Sequence, residues 1–282
     1  MYAVFKNAEA NRIIKDNPFR FIKRPRLNTK EKEIYTKEEI FIICNTIRKM
    51  KHDGKYHSLT HDYYLLFRIL LTTGLRIGEA LTLKWSDFDL DKKKLTVQRT
   101  YDEYGTIEKT GTTKTKAGYR IIPILSERLL KRLKKNKPEN EDTWLFGTTK
   151  GKPLAYYNFH RTWSSIARET ASECPKCHRK RSSSWKCSNG HEVKYKAHVC
   201  KKCGEERERT WVCPDCGTTI KEIHKTPHTT RHTFCSHLME RDINIMTIKY
   251  IAGHAQASTT MNIYGHITEN MDTELYQKAG IK

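Results

Sequence analysis

The chain predicts a mainly α-helical fold carrying a small antiparallel β-sheet, interrupted late by a segment of different composition. Three observations carry this. Apolar residues recur at helical spacing through most of the sequence, and the period turns to alternation between Lys94 and Leu125. There KLTVQRT and YRIIPI hold branched residues suited to strands, with Gly105, Gly111 and Gly118 marking turns. Finally, seven of the nine cysteines crowd between Cys174 and Cys216. With 282 residues and 37% hydrophobic content the chain has room for one full domain plus smaller pieces.

In order, residues 1–30 read as a short helix and a basic, proline-punctuated linker, NPFRFIKRPRLNTK. Thr36-x-x-Glu39 is a capping box, which opens a helix with Ile40, Ile43, Cys44 and Ile47 on one face. A second helix runs from about His61 to Thr73 and stops at Gly74; a third begins near Arg76. Helices resume at Ser126 to Asn136 and Tyr156 to Thr170, and after the cysteines at Thr230 to Arg241, Ile243 to Ala252 and Ser258 to Tyr264. Cys44 and Cys235 fall inside apolar helical patterns and read as small buried hydrophobes.

The cysteine segment is an internal repeat. Cys174, Cys177, Trp185 and Cys187 recur 26 residues later as Cys200, Cys203, Trp211 and Cys213, and His191 is matched by Cys216. Such C-x-x-C spacing, with no secretion signal to favour disulfides, points to structural Zn2+. The repeat predicts two ribbons in tandem: Cys174, Cys177, Cys187 and His191 on one ion, Cys200, Cys203, Cys213 and Cys216 on the other. An interleaved pairing, first knuckle with third and second with fourth, is the alternative that the repeat disfavours. Four protein ligands leave no position for a reactive water, so both sites read as structural. Because the segment ends just before His228, metal loss is expected to disturb that residue.

A formal charge of +21 is far from the balance of an ordinary enzyme surface and points to a polyanion, foremost nucleic acid. No run approaches the ~20 apolar residues of a membrane span, and the N-terminus lacks a signal-peptide core, so a cytoplasmic protein with no membrane partner is expected. Asp87, Asp89 and Asp91 lack the glycine and distal glutamate of a calcium loop and read as a turn. GTTKGKP, from Gly147, falls short of a phosphate-binding loop.

Four separated stretches then supply a set of groups for phosphodiester chemistry: TGLRIGEAL with Arg76, TKTKAGYRIIPI with Lys114, HTTRHTF with His228 and Arg231, and GHAQASTTMNIYGH with His254 and Tyr264. At this order and spacing the chain resembles the tyrosine recombinases of the phage integrase family. The resemblance implies that family's catalytic fold, interrupted by an inserted zinc-ribbon module. The chain would begin with a remnant of an N-terminal core-binding domain and its linker (1–30). The catalytic domain would follow in two stretches, 31–170 and 226–282, with the double zinc ribbon (171–225) inserted between them.

The resemblance also implies roles. Arg76 and Arg231 would clamp the non-bridging phosphate oxygens, for which a planar, permanently charged fork suits better than lysine. His228 would act as acid/base partner, His254 as phosphate donor and Tyr264 as nucleophile. Lys114 would protonate the leaving 5′-oxygen; Lys116 competes for this role. Glu79, three residues past Arg76, reads from its position as orienting that arginine or packing against its helix rather than joining the chemistry. Double-stranded DNA is the implied partner, bound by a homo-tetramer, with no cofactor in the chemistry. A type IB topoisomerase and a DNA-binding remnant without recombination activity are the competing readings.

Overall fold

The computed structural model describes residues 2–21, 33–52, 61–102, 105–109, 119–195 and 197–253. The chain divides into two units, Met1–Glu31 and Lys32–Lys282. In the first, helix α1 (Tyr2–Ala10) sets Phe5 against Phe19, with ring centroids 4.9 Å apart. Asn17 ties the following turn: its N–H donates to Glu9 Oε1 (3.2 Å) and its side-chain oxygen accepts from Phe19 N–H (2.9 Å).

In the second unit the capping box forms as expected. Thr36 N–H donates to Glu39 Oε2 (2.9 Å) and Glu39 N–H to Thr36 Oγ1 (3.2 Å), opening α2 (Lys37–His52). Helix α3 (Tyr63–Thr73) is buried nearly all round, from Tyr63 through Phe67 and Ile69 to Thr73. Only the Tyr64, Arg68 and Thr72 stripe is half-buried, so the helix runs through the core. It packs against α2, α4 (Ile77–Leu81), α5 (Glu127–Lys135) and α7 (Pro227–Met239). Phe67, with no exposed surface, meets Tyr35 edge-on at 5.8 Å and Trp163 at 5.5 Å.

Gly74 ends α3 in the left-handed region at φ +65°. Any Cβ there would stand 2.3 Å from the Phe234 ring, so conformation and contact both demand glycine. This brings the chain leading to Arg76 directly onto α7.

The strand region gives two ribbons where one sheet was expected. Strands β1 (Phe88–Asp89), β2 (Lys94–Val97) and β5 (Arg120–Pro123) form an antiparallel sheet in the order β1-β2-β5, while β3 (Arg99–Tyr101) and β4 (Ile107–Lys109) pair separately. The break falls at Gln98, where polar contacts replace core packing. Gln98 Nε2 donates to Asp87 Oδ1 (2.7 Å), and Arg99 pairs with the same buried carboxylate. Asp87 closes the predicted aspartate turn, accepting also from Lys84 N–H (2.7 Å).

Helix α6 (Tyr156–Glu169) leads into the cysteine segment, which holds two hairpins, β6 (Ser184–Lys186) with β7 (Glu192–Lys194) and β8 (Thr210–Val212) with β9 (Thr219–Lys221). The segment leaves where it entered. Ile223 N–H donates to Thr170 Oγ1 (2.9 Å), and the Lys225 carbonyl accepts from Trp163 Nε1 (3.1 Å) and Tyr35 OH (3.2 Å). Lys225 Nζ binds Ile34 O (2.7 Å) and Glu39 Oε2 (2.5 Å). Helix α7 then starts at Pro227, three residues earlier than its apolar pattern suggested, because proline has a helical φ and needs no N–H partner in the first turn. Helix α8 (Ile245–Ala252) follows and ends at Gly253. No helix of the described residues is long and apolar enough to cross a membrane.

Candidate functional site

Arg76 lies between Gly74 and α4, as the residue that caps this five-residue helix. Glu79, on its first turn, reaches back: Oε2 accepts from Arg76 N–H (2.9 Å) and Oε1 from Arg76 Nη1 (3.1 Å). Arg76 Nη2 donates to the carbonyl of Gly253, 2.8 Å away. The Arg76 side chain remains 43% exposed while Glu79 is 3% exposed. Glu79 thus orients the arginine from below, as the sequence suggested.

A second guanidinium completes the support. Arg120, 2% exposed at the start of β5, donates from Nη1 to Glu79 Oε1 (3.0 Å) and from Nη2 to Oε2 (2.9 Å). Its Nε binds the Ile251 carbonyl at 2.9 Å. Burial opposes the charge on Glu79, but the hydrogen bonds and fields of Arg120 and Arg76 outweigh it and hold the carboxyl below its ordinary range. Gly253, at φ +66°, caps α8, and a Cβ there would come within 2.8 Å of Arg120 Nη1. The glycine before His254 is therefore required by the backbone and by the arginine it rests on.

Arg231, 1% exposed, donates from Nη1 to Gly74 O (3.0 Å). Burial first, and the field of Arg76 second, push its guanidinium down to about 10, so it stays cationic at neutral pH. His228, on the first turn of α7, is exposed, with its ring perpendicular to that of His232 at 4.6 Å. Arg76 and His228 line one cleft of about 480 Å³ together with Thr100, Tyr101, Tyr156 and His160. Arg76 gives this cleft, which Asp102 also lines, a fixed cation, and an arginine suits a phosphate because it bonds two of its oxygens while keeping its charge.

The cysteine segment brings its ligands together in a different pairing from the tandem one. Cys174 and Cys177 join Cys213 and Cys216; Cys187 and His191 join Cys200 and Cys203. The first knuckle meets the fourth and the second meets the third, which is neither the tandem nor the interleaved arrangement. Each hairpin has crossed to the other repeat. Trp211 Nε1 donates to Ala171 O (2.8 Å) and Trp185 Nε1 to Ala197 O (3.1 Å), the same contact made reciprocally 26 residues apart.

A polar centre locks the exchange. Buried Glu222 accepts from Arg207 Nη2 (2.8 Å) and Arg181 Nη1 (3.5 Å), and from the Tyr195 hydroxyl. Both guanidiniums lie over the Tyr195 ring, at 4.1 and 4.3 Å. Periodicity reports how each knuckle folds locally; which knuckles meet is decided by these longer contacts.

Both groups fit a tetrahedral metal. Ligand atoms within each lie no more than 4.8 Å apart, and Cys174–Cys216 and Cys177–Cys213 sulfurs are 3.5 and 3.4 Å apart. The edge of a ZnS4 tetrahedron is about 3.8 Å for Zn–S bonds of about 2.3 Å.

Residues 35–190 and 208–271 match the model of the Phage integrase family. The chain belongs to this family. The match breaks off within the cysteine segment. A tyrosine recombinase XerC-like protein of Caldanaerobacter subterraneus subsp. tengcongensis is 26% identical over 269 residues, covering 87% of this chain and 54% of the relative. The ICEBs1 integrase of Bacillus subtilis is 26% identical over 282 residues, covering 98% and 61%. The chain spans about half the length of the curated relatives it matches. A solved structure of the Tn1549 transposon integrase in complex with transposon right end DNA superposes with a TM-score of 0.64 at 22% identity, over 99% of this chain and 76% of that one. The fold is that of the tyrosine recombinase catalytic region, as the resemblance implied.

Of the six catalytic candidates of this phage integrase family member, Arg76 and His228 share the cleft and Arg231 is close enough to Arg76 to feel its charge. Lys114, His254 and Tyr264 lie outside the described residues. Arg120 enters the sequence reading only as the arginine that closes K-T-x-x-x-x-R from Lys114, not as a group beneath Arg76. A signal existed: strand alternation puts Arg120 on the same face as Ile122, buried in the core, and an arginine there requires a carboxylate. His160, Tyr156 and Tyr101, also on the cleft, carry no motif that could have marked them.

Proposed function

We propose that this chain is the catalytic portion of a site-specific DNA recombinase, one that cuts and rejoins DNA through a 3′-phosphotyrosyl intermediate. The observation that supports this is that Arg76, at the start of α4, and His228, on α7, line one cleft, with Glu79 bonded to Arg76 and the buried Arg231 near enough to Arg76 to feel its charge. In the reaction His228 takes the proton of the Tyr264 hydroxyl as its oxygen attacks the phosphorus, the bond to the 5′-oxygen breaks, and Lys114 gives that oxygen its proton. Arg76 and Arg231 neutralise the charge that builds on the non-bridging oxygens, with His228 and His254 as hydrogen-bond donors. The phosphotyrosyl bond keeps the energy of the broken one, so the reverse attack by a 5′-hydroxyl reseals a strand.

The relatives include the transposase of Tn916 and the ICEBs1 integrase, which supports a mobile element as the setting. The charge of +21 supports duplex DNA as partner, and the family reading extends to a homo-tetramer assembled on DNA in the cytoplasm. The two ligand groups would each hold a structural Zn2+, closed to substrate, tying the exchanged hairpins.

Covalent capture tests the reading. A pool of nicked duplexes with randomised flanks is incubated with the protein, and adducts that survive denaturation are isolated and the linked residue mapped. Linkage at Tyr264, lost in Tyr264→Phe, is expected. DNA binding with no adduct would mean a binding remnant instead. Relaxation of supercoiled plasmid without strand exchange between captured sites would favour the topoisomerase.

A further inference from the structure

We propose that Arg120 is a positioning residue for strand cleavage, one buried guanidinium that holds Arg76 towards the cleft and fixes the backbone entering His254. The proposal rests on the recombinase reading. Glu79 has its two oxygens fully used: two bonds from Arg120 at 3.0 and 2.9 Å, one from the Arg76 side chain at 3.1 Å and one from the Arg76 N–H at 2.9 Å. Without Arg120, this carboxylate in the protein interior keeps Arg76 as its bonded cation. A carboxylate 3% exposed strongly favours a second bond from any cation in reach. Arg76, with 43% of its side chain in solvent, can turn inward to supply it. It would then leave the cleft.

The same guanidinium works on a third segment. Arg120 Nε holds the Ile251 carbonyl at 2.9 Å and Gly253 lies against its face, while Arg76 Nη2 holds the Gly253 carbonyl at 2.8 Å. Two arginines bridged by one carboxylate thus grip alternate carbonyls of the turn immediately before His254. Arg120 also pairs with Val97 in the sheet register, at the first position of β5, six residues after Lys114 in sequence. Three stretches of the family motif are tied to one side chain: the α4 turn through Glu79, the α8 end through Ile251, and the strand that follows the lysine segment. Lysine could keep the charge but not the bonds, since a point ammonium cannot fork onto both carboxylate oxygens while reaching a carbonyl on another side.

The test uses the full chain, Arg120→Lys, and the pair Glu79→Gln with Arg120→Met, which removes both buried charges and leaves no carboxylate uncompensated. Thermal melting gives the folded fraction, equilibrium binding the affinity, and single-turnover cleavage of a captured nicked duplex the rate. Expected is a fall in the cleavage rate of about 10²-fold in Arg120→Lys, the scale of a misplaced catalytic group, with folding and DNA affinity retained. The double variant is expected to be folded and slow. A merely structural role would lower binding and cleavage together. Wild-type cleavage by either folded variant overturns the proposal, and so does a loss no greater than the loss of folded protein. Absence of a wild-type adduct, or an adduct in Tyr264→Phe, overturns the recombinase reading itself.

Discussion

Two buried carboxylates in this molecule each hold two guanidiniums, and they differ in where the second one ends. Glu79 binds Arg120 inside the core and Arg76 at the edge of a cleft, with the Arg76 side chain 43% exposed. Glu222, in the cysteine segment, binds Arg181 and Arg207, whose side chains are 10% and 3% exposed, with Tyr195 between them. The first arrangement leaves a cation held rigidly towards solvent, ready for an anion. The second is satisfied internally and can only hold its surroundings together. One charge motif presents a cation to solvent or closes on itself according to whether one guanidinium reaches the surface.

The largest expected difference between the two regions follows from removing one arginine from each. Arg76→Ala should slow single-turnover cleavage by about 10²–10³-fold, as for loss of one transition-state donor, with a small change in melting temperature because the residue is half exposed. Arg207→Ala should leave cleavage near wild type but destabilise the inserted segment by about 3–5 kcal/mol, the cost of breaking a buried ion pair, measured as protease sensitivity of 171–225. If Arg207→Ala slowed cleavage as much as Arg76→Ala, the division between the regions would be wrong.

Chelation sharpens the same contrast. The sequence led us to expect that metal loss disturbs His228, but the chain is fixed before α7 by Trp163, Tyr35 and Glu39 on Lys225 and by Thr170 on Ile223. These anchors come from Tyr35, α2, α6 and the residue that caps α6, none of them among the two ligand groups. Removing the Zn2+ proposed for the two groups, verified by metal analysis, is therefore expected to open the hairpins to hydrogen exchange while α7 keeps its protection. Exchange spreading into α7 would restore the coupling that the sequence suggested.

Acid should act on the catalytic region through Glu79. Its carboxyl is held below the ordinary range when folded, so its contribution to stability is complete above the unfolded value of about 4.3 and is lost as pH falls through the lower folded value. Melting temperature measured downward from pH ~5 should thus drop less steeply in Glu79→Gln than in wild type; parallel curves would deny Glu79 this share.

The smallest effect separates nested from tandem metal sites. With each site drawing on both repeats, closing the inner one roughly halves the free loop between Cys177 and Cys213, worth about 0.6 kcal/mol or nearly threefold in affinity. Cobalt titration followed by thiolate absorption should show the second ion binding more tightly than the first. Independent sites of equal affinity would fit a tandem pair.

Much of this was legible in order. The helices from Thr36 to Gly74 follow from an apolar period and two caps, each a local matter of a few residues. Glu79 was read as the partner of Arg76 because three residues on a helix start bring them together. Arg120 was not, because its partners lie 41 and 131 residues away. The ligand residues of the insert were visible from C-x-x-C spacing, yet their pairing was misread, because two similar repeats satisfy local geometry equally well in either combination.

By itself the sequence determined most element types of the described residues, membership of the family and the presence of closely spaced cysteine and histidine knuckles in the insert, since caps, periods and knuckles are short-range physics. Only the tertiary structure decided which repeat's hairpin meets which knuckle, that the sheet breaks at Gln98, and that a strand arginine stands under the cleft. Those outcomes depend on burying charge without leaving it unpaired. That balance is settled between segments far apart in the chain, after each has already found its own local form.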